Sequence, residues 1–304
     1  MAPPSSVKGA PYLPFAGGHF RLALGLMPLP PGRWIEPDDH LAADLAAKRV
    51  LLAEHHDAVF AALPEAQAAA AELLALLVDD LIENHSAHFR RDGSSLFNRA
   101  AGESWDVARP ALHPLELCGR LVQEDFCLIG GTDGLTLVGA VLCAPSRWRL
   151  ADKIGRSVAA IHAPVPGYVE ALERGVDRFF VHAKVGKPVW RLNWTILDDP
   201  VPFQPDPHAP APDITAENAG DKLWLRVERQ TLRRLPATGS VVFTIRTYIT
   251  PLRQALAASS DARDLAAMLR DAPQATLAYK HITPFRDAVL AWLGERAASR
   301  PLRA

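Results

Sequence analysis

One histidine in the sequence has surroundings that suit a metal-ligating imidazole. His162 follows the apolar run 158–161 and precedes Pro164 and Pro166 in the string VAAIHAPVPG, so we expect it on a stiff turn between apolar segments. An axial ligand to haem iron requires a fixed backbone, an apolar pocket and a partner for the second ring nitrogen. His162 meets the first two requirements. A structural histidine bonded to the backbone of a turn fits the same pattern, and both interpretations stay open.

The other histidines are weaker candidates. His182 is the alternative iron ligand, because it lies three residues after Phe179 and continues the apolar stripe of a predicted helix. It is also typical of a histidine at a helix C-terminus, where the helix dipole favours positive charge. His85 and His88 end another predicted helix, and no H-E-x-x-H motif indicates a zinc site. His113 precedes a proline and is predicted to begin the first strand region, where it remains a candidate pocket residue.

The segment RVERQTLRRLP places charged residues on a predicted strand that also has an apolar face. Arg226, Glu228 and Arg229 lie on this strand, and Arg246 lies on the next one. Arginines on adjacent strands can bind haem propionates through bidentate bonds, so these three arginines are candidate cofactor ligands. Glu228 is a candidate catalytic residue, which would meet a cationic amine or relay protons. The alternative is a strand whose charged face is solvated.

An aromatic residue close to His162 is a second catalytic candidate. Tyr168 lies six residues after His162, where a long helix is predicted to start. Its side chain either points into the same pocket or packs against the start of the helix. Serine chemistry is not favoured, because the sequence contains no G-x-S-x-G motif.

Several cofactor classes lack the motifs that would hold them. Cys118, Cys127 and Cys143 form no C-x-x-C pair, and three cysteines are too few for an iron–sulfur cluster that takes four thiolates. Neither G-x-G-x-x-G nor G-x-x-x-x-G-K-[ST] occurs, so dinucleotide and P-loop binding are not indicated. Any cofactor must be held in another way.

Composition indicates a globular protein without nucleic-acid or membrane contacts. The 304 residues are 49% hydrophobic, and their formal net charge is -1 without a local run of lysine or arginine. No stretch approaches the roughly 20 apolar residues that span a bilayer, and the first residues lack the features of a signal peptide. We therefore expect a cytoplasmic protein.

Helical patterns lie on both sides of a central region of strands. Residues 1–37 are rich in proline and glycine and are predicted to be an extended segment. Two helices are predicted at about 38–56 and 64–89, the second with Leu73, Leu77 and Leu81 on one face. Residues 90–112 are predicted to be a loop, and residues 252–300 to be mostly helical.

The central region has the shorter period of strands. EDFCLIGG and GLTLVGAVLCAPS are predicted strands joined by a Thr-Asp-Gly turn. A short helix is predicted at about 147–155 and a longer one at about 167–183. Three more strands follow in PVWRLNWTI, LWLRVERQTL and SVVFTIRTYIT. In the second of these, Leu223, Leu225 and Val227 alternate with charged or aromatic residues, which predicts one apolar face.

This order of elements is that of a PAS domain, and the string DKIGRSVAAIHAPVPGYVEAL resembles the corresponding PAS stretch. We predict an α+β fold, with a PAS-like antiparallel sheet and a haem pocket flanked by N-terminal and C-terminal helices. The predicted division is an extended and helical region at 1–112, a PAS-like haem-binding core at 113–251, and a helical tail packed on the core at 252–304.

The motifs together resemble those of the haem-dependent oxidative N-demethylase family over roughly residues 10–295. The strings that carry the resemblance are WRLADKIGRSVAAIHAPVPGY, RFFVHAK, PVWRLNWTI, LWLRVERQTLRRLP and VVFTIRTYITPL. The resemblance implies that haem b serves as an enzyme centre that removes a methyl group oxidatively from dimethylamine or a similar amine, with O2 as oxidant and formaldehyde as product. It places the iron ligand on His162, with His182 as the alternative.

The resemblance also implies partners. Because this sequence lacks flavin and iron–sulfur motifs, NADPH, flavin and an iron–sulfur cluster are expected on a separate reductase. A tetrahydrofolate-dependent acceptor of formaldehyde is a further partner that the resemblance implies. Two other functions fit a PAS-like core: a haem-based sensor, which here lacks an attached signalling domain, and a haem-free protein that binds a small metabolite.

Overall fold

The computed structural model describes residues 10–131 and 135–298. These ranges form a mixed α+β structure. Their strands are β1 Met27–Pro28, β2 Phe60–Ala62, β3 Phe89–Asp92, β4 Ser95–Asn98, β5 Glu103–Asp106, β6 Asp125–Gly130, β7 Thr136–Val141, β8 Val189–Leu197, β9 Trp224–Arg234 and β10 Val241–Pro251.

The α-helices surround the strands in the chain. They are α1 Leu41–Glu54, α2 His56–Val59, α3 Ala66–Asn84, α4 Pro114–Leu121, α5 Val158–His162, α6 Tyr168–Ala171, α7 Glu173–His182, α8 Ala219–Lys222, α9 Leu252–Ala255, α10 Ser259–Asp271, α11 Gln274–Tyr279 and α12 Arg286–Ala298. In the described residues, no helix is both long and apolar enough to cross a membrane.

Seven strands form one antiparallel sheet in the order β1-β8-β9-β10-β6-β7-β2. Its centre is the pair β9 and β10, which stay in register from Arg234 opposite Val241 to Trp224 opposite Pro251. All five strands predicted for the central region are confirmed. The predicted turn at 132–134 lies outside the described residues.

The predicted loop at 90–112 is wrong as far as residue 106. Strands β3, β4 and β5 form a separate antiparallel sheet in this region. Gly93 and Gly102 adopt positive φ angles of 59° and 66° in the turns that join these strands. Asp92 and Gly93 are therefore a hairpin signal, and Leu96 anchors the short sheet because its side chain is fully buried.

The helix predicted at 64–89 is confirmed as α3, whose buried face includes Leu73, Leu77 and Leu81. It ends at Asn84, since the chain enters β3 at Phe89. His113 does not begin a strand. It caps α4 instead, where its Nδ1 accepts a hydrogen bond from the Leu115 amide at 3.2 Å.

The connection between β7 and β8 differs from the prediction in detail. The short helix predicted at 147–155 is one 3-10 turn at Leu150–Asp152. The longer helix predicted at 167–183 is divided into α6 and α7 at Leu172, whose φ of -118° departs from the helical value. His162 ends the helix α5 rather than lying on a turn.

The two faces of the large sheet pack against different parts of the chain. On one face, Phe126 and Leu128 pack against α3 and α4, while Leu225 and Val227 pack against the C-terminal helices. The opposite face carries a third apolar cluster that includes Ile245 and is covered by the segment between β7 and β8. Because side chains alternate along each strand, neighbouring residues belong to different cores.

Candidate functional site

A large cavity of about 1120 Å³ lies between the covered face of the sheet and the connection from β7 to β8. Its apolar sheet wall includes Ile129, Leu232, Phe243 and Ile245. Helices α5, α6 and α7 line it opposite the sheet, and residues 19–27 and 276–282 close its sides. The chain therefore encloses a mainly apolar space that is large enough for a large organic ligand.

His162 lines this cavity at the end of α5. The helix begins where the Ser157 hydroxyl accepts the Ala160 amide at 3.2 Å, and Pro164 and Pro166 prevent it from continuing. The His162 Nδ1 lies 2.8 Å from the carbonyl oxygen of Val158. A carbonyl only accepts hydrogen bonds, so Nδ1 carries the proton and the lone pair of a neutral ring resides on Nε2.

The electrostatic surroundings of His162 keep the imidazole neutral. Burial is the largest influence and lowers the pKa, and the positive charges of Lys153 and Arg191 lower it further. The bond to Val158 acts in the opposite direction but does not reverse the shift. The side chain nonetheless retains solvent-accessible surface, because it faces the cavity and not the packed core.

Tyr168 both lies at the start of a helix and lines the cavity beside His162, so the two alternatives that the sequence left open apply together. It begins α6, and its ring stacks on that of His162 with centroids 5.3 Å apart and an angle of 13° between the planes. Its hydroxyl is buried and has no hydrogen-bond partner in the described part of the chain. Burial raises the pKa of Tyr168, with smaller contributions from Asp177 and Glu173. The hydroxyl therefore keeps its proton and remains free to donate.

Arg226 and Glu228 face the cavity from β9. Both are buried, with 1% and 9% of their surface exposed, so the interpretation as a solvated face is wrong. Arg226 Nε donates to Glu228 Oε1 at 3.1 Å, and Asn193 and Gln230 donate to Glu228 Oε2 at 3.2 and 3.0 Å.

These contacts define the protonation state of Glu228. Burial alone would raise its pKa, but Arg226 and Asn193 outweigh burial, and the net effect lowers the pKa. Glu228 is therefore a carboxylate near neutral pH. A proton relay works best with a pKa near the working pH, so this environment favours a charged positioning role over a relay.

Arg229 and Arg246 do not join Arg226 at the cavity. They are opposite each other in the register of β9 and β10, on the other face of the sheet. Arg229 Nε lies 3.3 Å from Glu36 Oε1, and Arg246 Nη2 lies 2.6 Å from Asp38 Oδ2. Both guanidinium groups are thus bound to the segment that precedes α1.

His182 also lies apart from His162. It lines a second, more open pocket of about 460 Å³, together with Arg178 and Lys187. Its Nδ1 lies 2.9 Å from the carbonyl oxygen of Arg178, so the local hydrogen bond matches that of His162. Leu24, Leu26 and Phe179 border both pockets.

The three cysteines are less suitable metal ligands than the imidazole of His162. Cys118, Cys127 and Cys143 are buried and free. Cys127 lines the cavity, but burial and the Asp125 carboxylate raise its pKa to about 12. A thiol must lose its proton to bind a metal, whereas His162 already presents a lone pair.

Two cationic residues of the cavity were missed by the sequence analysis. Arg191 projects from β8 on the same face as Asn193, and its Nε is buried without a hydrogen-bond partner among the described residues. Lys280 Nζ donates to Asn193 Oδ1 at 3.1 Å and to the Trp194 carbonyl at 2.5 Å. Alternation within PVWRLNWTI could have indicated Arg191. Lys280 follows a helix in the C-terminal region, and no local pattern distinguishes it.

A family model described as haem-dependent oxidative N-demethylase, alpha subunit-like, matches residues 25–290. The chain belongs to this family. The match includes the large sheet and both His162 and Tyr168, and it confirms the predicted family. The family is one of haem-dependent oxidoreductases, and its description as an alpha subunit implies an assembly with further subunits.

Proposed function

We propose that this chain holds haem b in the large cavity and catalyses the oxidative N-demethylation of a small secondary amine of the dimethylamine type. The observation that carries the proposal is His162, a neutral cavity imidazole whose Nδ1 proton is held by the Val158 carbonyl. This arrangement leaves Nε2 as the metal-binding atom. Family membership supports both the cofactor and the reaction.

The residues present fit a haem. The cavity of about 1120 Å³ has apolar walls for a macrocycle, and three histidines line it: His19, His162 and His281. Of these, His162 has its Nδ1 bonded to a backbone carbonyl, which leaves the lone pair on Nε2. Two buried polar atoms in its lining, Tyr168 Oη and Arg191 Nε, have no partner within the described residues. Buried polar groups are normally hydrogen-bonded, so these atoms favour a ligand that supplies acceptors.

The proposed core is PAS-like. Strands β8-β9-β10-β6-β7 are adjacent in the sheet, and the helical connection from β7 to β8 covers the face that borders the cavity. This order and this insertion support a PAS-like core at about 113–251, between the N-terminal region and the C-terminal tail. In this proposal the cavity is the ligand site of that core.

Bound haem supplies the activation of dioxygen at iron. His162 would hold the iron through Nε2, while Tyr168 keeps that ring in position by stacking and offers a proton at its hydroxyl. Glu228 positions Arg226 and Asn193 in the cavity wall. The cover formed by α5, α6 and α7 limits the access of water.

The overall reaction requires partners. One oxygen atom of O2 leaves in formaldehyde and the other in water, and two electrons come from NADPH. A reductase subunit with flavin and an iron–sulfur cluster supplies those electrons in this proposal. A tetrahydrofolate-dependent subunit is the proposed acceptor of formaldehyde.

The test is the absorption spectrum of purified protein from cells supplied with a haem precursor, before and after dithionite and carbon monoxide. We expect a Soret band that shifts on reduction and on binding of carbon monoxide. His162→Ala should lose stably bound haem. His182→Ala is the matched control, because it removes a histidine with the same local hydrogen bond outside the cavity.

Three outcomes would contradict parts of the proposal. Normal haem content in His162→Ala would overturn the ligand assignment. Colourless wild-type protein would indicate a haem-free metabolite-binding protein. Haem protein that releases no formaldehyde from secondary amines, when its reductase is present, would indicate a sensor.

A further inference from the structure

Positive charge is concentrated on one part of the cavity wall. Arg226 and Glu228 on β9, Arg191 on β8, and Lys280 after α11 all line the cavity. Glu228 is the acidic residue of the cavity lining among the described residues. Three cations and one carboxylate leave a net charge of +2 on these four side chains.

The single carboxylate is already occupied. Glu228 Oε1 accepts from Arg226 Nε, and its Oε2 accepts from Asn193 and Gln230. Arg226 also donates to the Ala144 carbonyl at 2.5 Å. The salt bridge of Glu228 is therefore with Arg226. Its charge also reaches Arg191 and Lys280, but one carboxylate offsets one of the three cations, so a net charge of +2 remains on this wall.

Arg191 and Lys280 lie close together, and neither forms a salt bridge with a carboxylate among the residues that the structure describes. Lys280 donates to Asn193, which is two residues from Arg191 on the same face of β8. Burial is the largest influence on both side chains and lowers the pKa of each. Glu228 acts in the opposite direction without reversing the shift, and the charge of Arg191 adds to the lowering of the Lys280 pKa. Placing two neighbouring cations in a desolvated wall is unfavourable unless negative charge is brought to them.

The other cations of the cavity lining have partners of their own or are exposed to solvent. Arg147 Nη2 pairs with Asp198 Oδ1 at 2.6 Å, and Lys153 donates to the Ile161 carbonyl at 2.9 Å. Arg21 is exposed to solvent on the N-terminal segment. The need for an anion is therefore localised to the wall between β8 and residue 280.

We propose that Arg191 and Lys280 form the carboxylate-binding subsite of the cavity and bind the two propionates of the haem. This inference rests on the proposed haem-dependent function. Two carboxylates carry a charge of -2, which compensates the excess charge of the wall. The guanidinium fork of Arg191 suits a carboxylate in two-point contact, and the Lys280 ammonium provides a point charge.

The experiment compares haem with its dimethyl ester, which keeps the macrocycle and the iron but lacks both carboxylate charges. Haem-free wild-type protein and the variants Arg191→Leu, Arg191→Lys and Lys280→Met are loaded with each compound. The rate of transfer to excess apomyoglobin measures retention. Arg149→Leu is the control, because Arg149 is an exposed arginine paired with exposed Asp206.

We expect the wild type and Arg149→Leu to retain haem longer than the ester. Arg191→Leu should reduce this preference by about tenfold, the effect of one charge-assisted hydrogen bond, without a change in ester retention. Arg191→Lys should keep part of the preference, and Lys280→Met should reduce it independently. Circular dichroism checks that each variant is folded.

The outcomes separate the inference from the function on which it rests. Failure of the wild type to bind either compound would overturn the proposed haem function. Normal haem binding with an unchanged preference in Arg191→Leu and Lys280→Met would overturn the subsite alone. Equal loss of haem and ester would also overturn it, since that result indicates a contribution to packing or to a ligand of the iron. If Arg191→Leu does not fold, the preference for haem over the ester in Arg191→Lys and Lys280→Met still tests the subsite.

Discussion

The buried ammonium of Lys280 makes the stability of the haem-free protein depend on pH in a particular way. The pKa of Lys280 is lowered from 10.5 to about 8, mainly by burial; Glu228 opposes this shift, and Arg191 contributes to it. Below pH 8 the side chain is charged in both the folded and the unfolded chain, so the full desolvation penalty is present. Between pH 8 and 10.5 the folded protein loses the proton first, and the penalty disappears.

The magnitude follows from the difference between the two pKa values. Each pKa unit corresponds to about 1.4 kcal/mol, so a difference of about 2.5 units gives an upper bound of about 3.5 kcal/mol. Lys280 faces a cavity that water can enter, and this partial solvation reduces the effect. We therefore expect haem-free wild-type protein to gain about 2 kcal/mol relative to Lys280→Met as the pH rises from 7 to 10.

The measurement is urea unfolding of both haem-free proteins at several pH values. Subtracting the free energies of unfolding cancels the groups that titrate alike in both proteins. The hydrogen bonds lost in the variant leave a constant offset, so the change of the difference with pH reports the titration of Lys280. A difference that does not change with pH would refute the reasoning. With haem bound, a carboxylate beside Lys280 should raise its pKa again, and the dependence on pH should shrink.

Two further predictions concern the packing around the sheet. A Cβ at Gly220 would lie 2.4 Å from the Trp292 ring, so Gly220→Ala should lower the free energy of unfolding by about 1 to 3 kcal/mol. Gly294 lies in α12 and has open space around it, so Gly294→Ala should raise the free energy of unfolding by about 0.5 to 1 kcal/mol. Urea unfolding of both variants measures this, and equal effects would contradict it. Arg246→Met should cost about 1 to 3 kcal/mol, because it removes the charged partner of Asp38 Oδ2 while Gln123 still donates to Oδ1. The Soret spectrum should not change, because Arg246 lies on the face away from the cavity, and an altered spectrum would contradict this placement.

Local patterns in the sequence were sufficient for most of the secondary structure. The apolar runs of β6 and β7 and the three later strands are long enough to be recognised individually, as is the leucine face of α3. The small sheet at 89–106 was missed for two reasons. Its strands have four residues each, which is too short for a clear alternating pattern, and the glycines in its tight turns resemble the glycines of a loop. The family was also recognisable, since its motifs are contiguous strings.

The candidate site depended much more on tertiary structure. Alternation along β9 places Arg226 and Glu228 together and separates them from Arg229, but it does not tell which face borders the cavity. The register of β10 then pairs Arg246 with Arg229 on the other face. The sequence analysis placed Arg226, Arg229 and Arg246 in one set of candidate propionate ligands. Which of them share a face of the sheet depends on register, which is a property of two strands and not of either one.

What the sequence determined by itself was the α+β class, the central strands, the family and the local setting of His162. The prolines after His162 and the apolar residues before it are neighbours in the chain, so their effect is local. Only the tertiary structure brought Lys280 to Arg191 and stacked Tyr168 on His162 within one cavity. Electrostatic compensation is a sum over residues that are close in space, and chain position alone does not contain that distance.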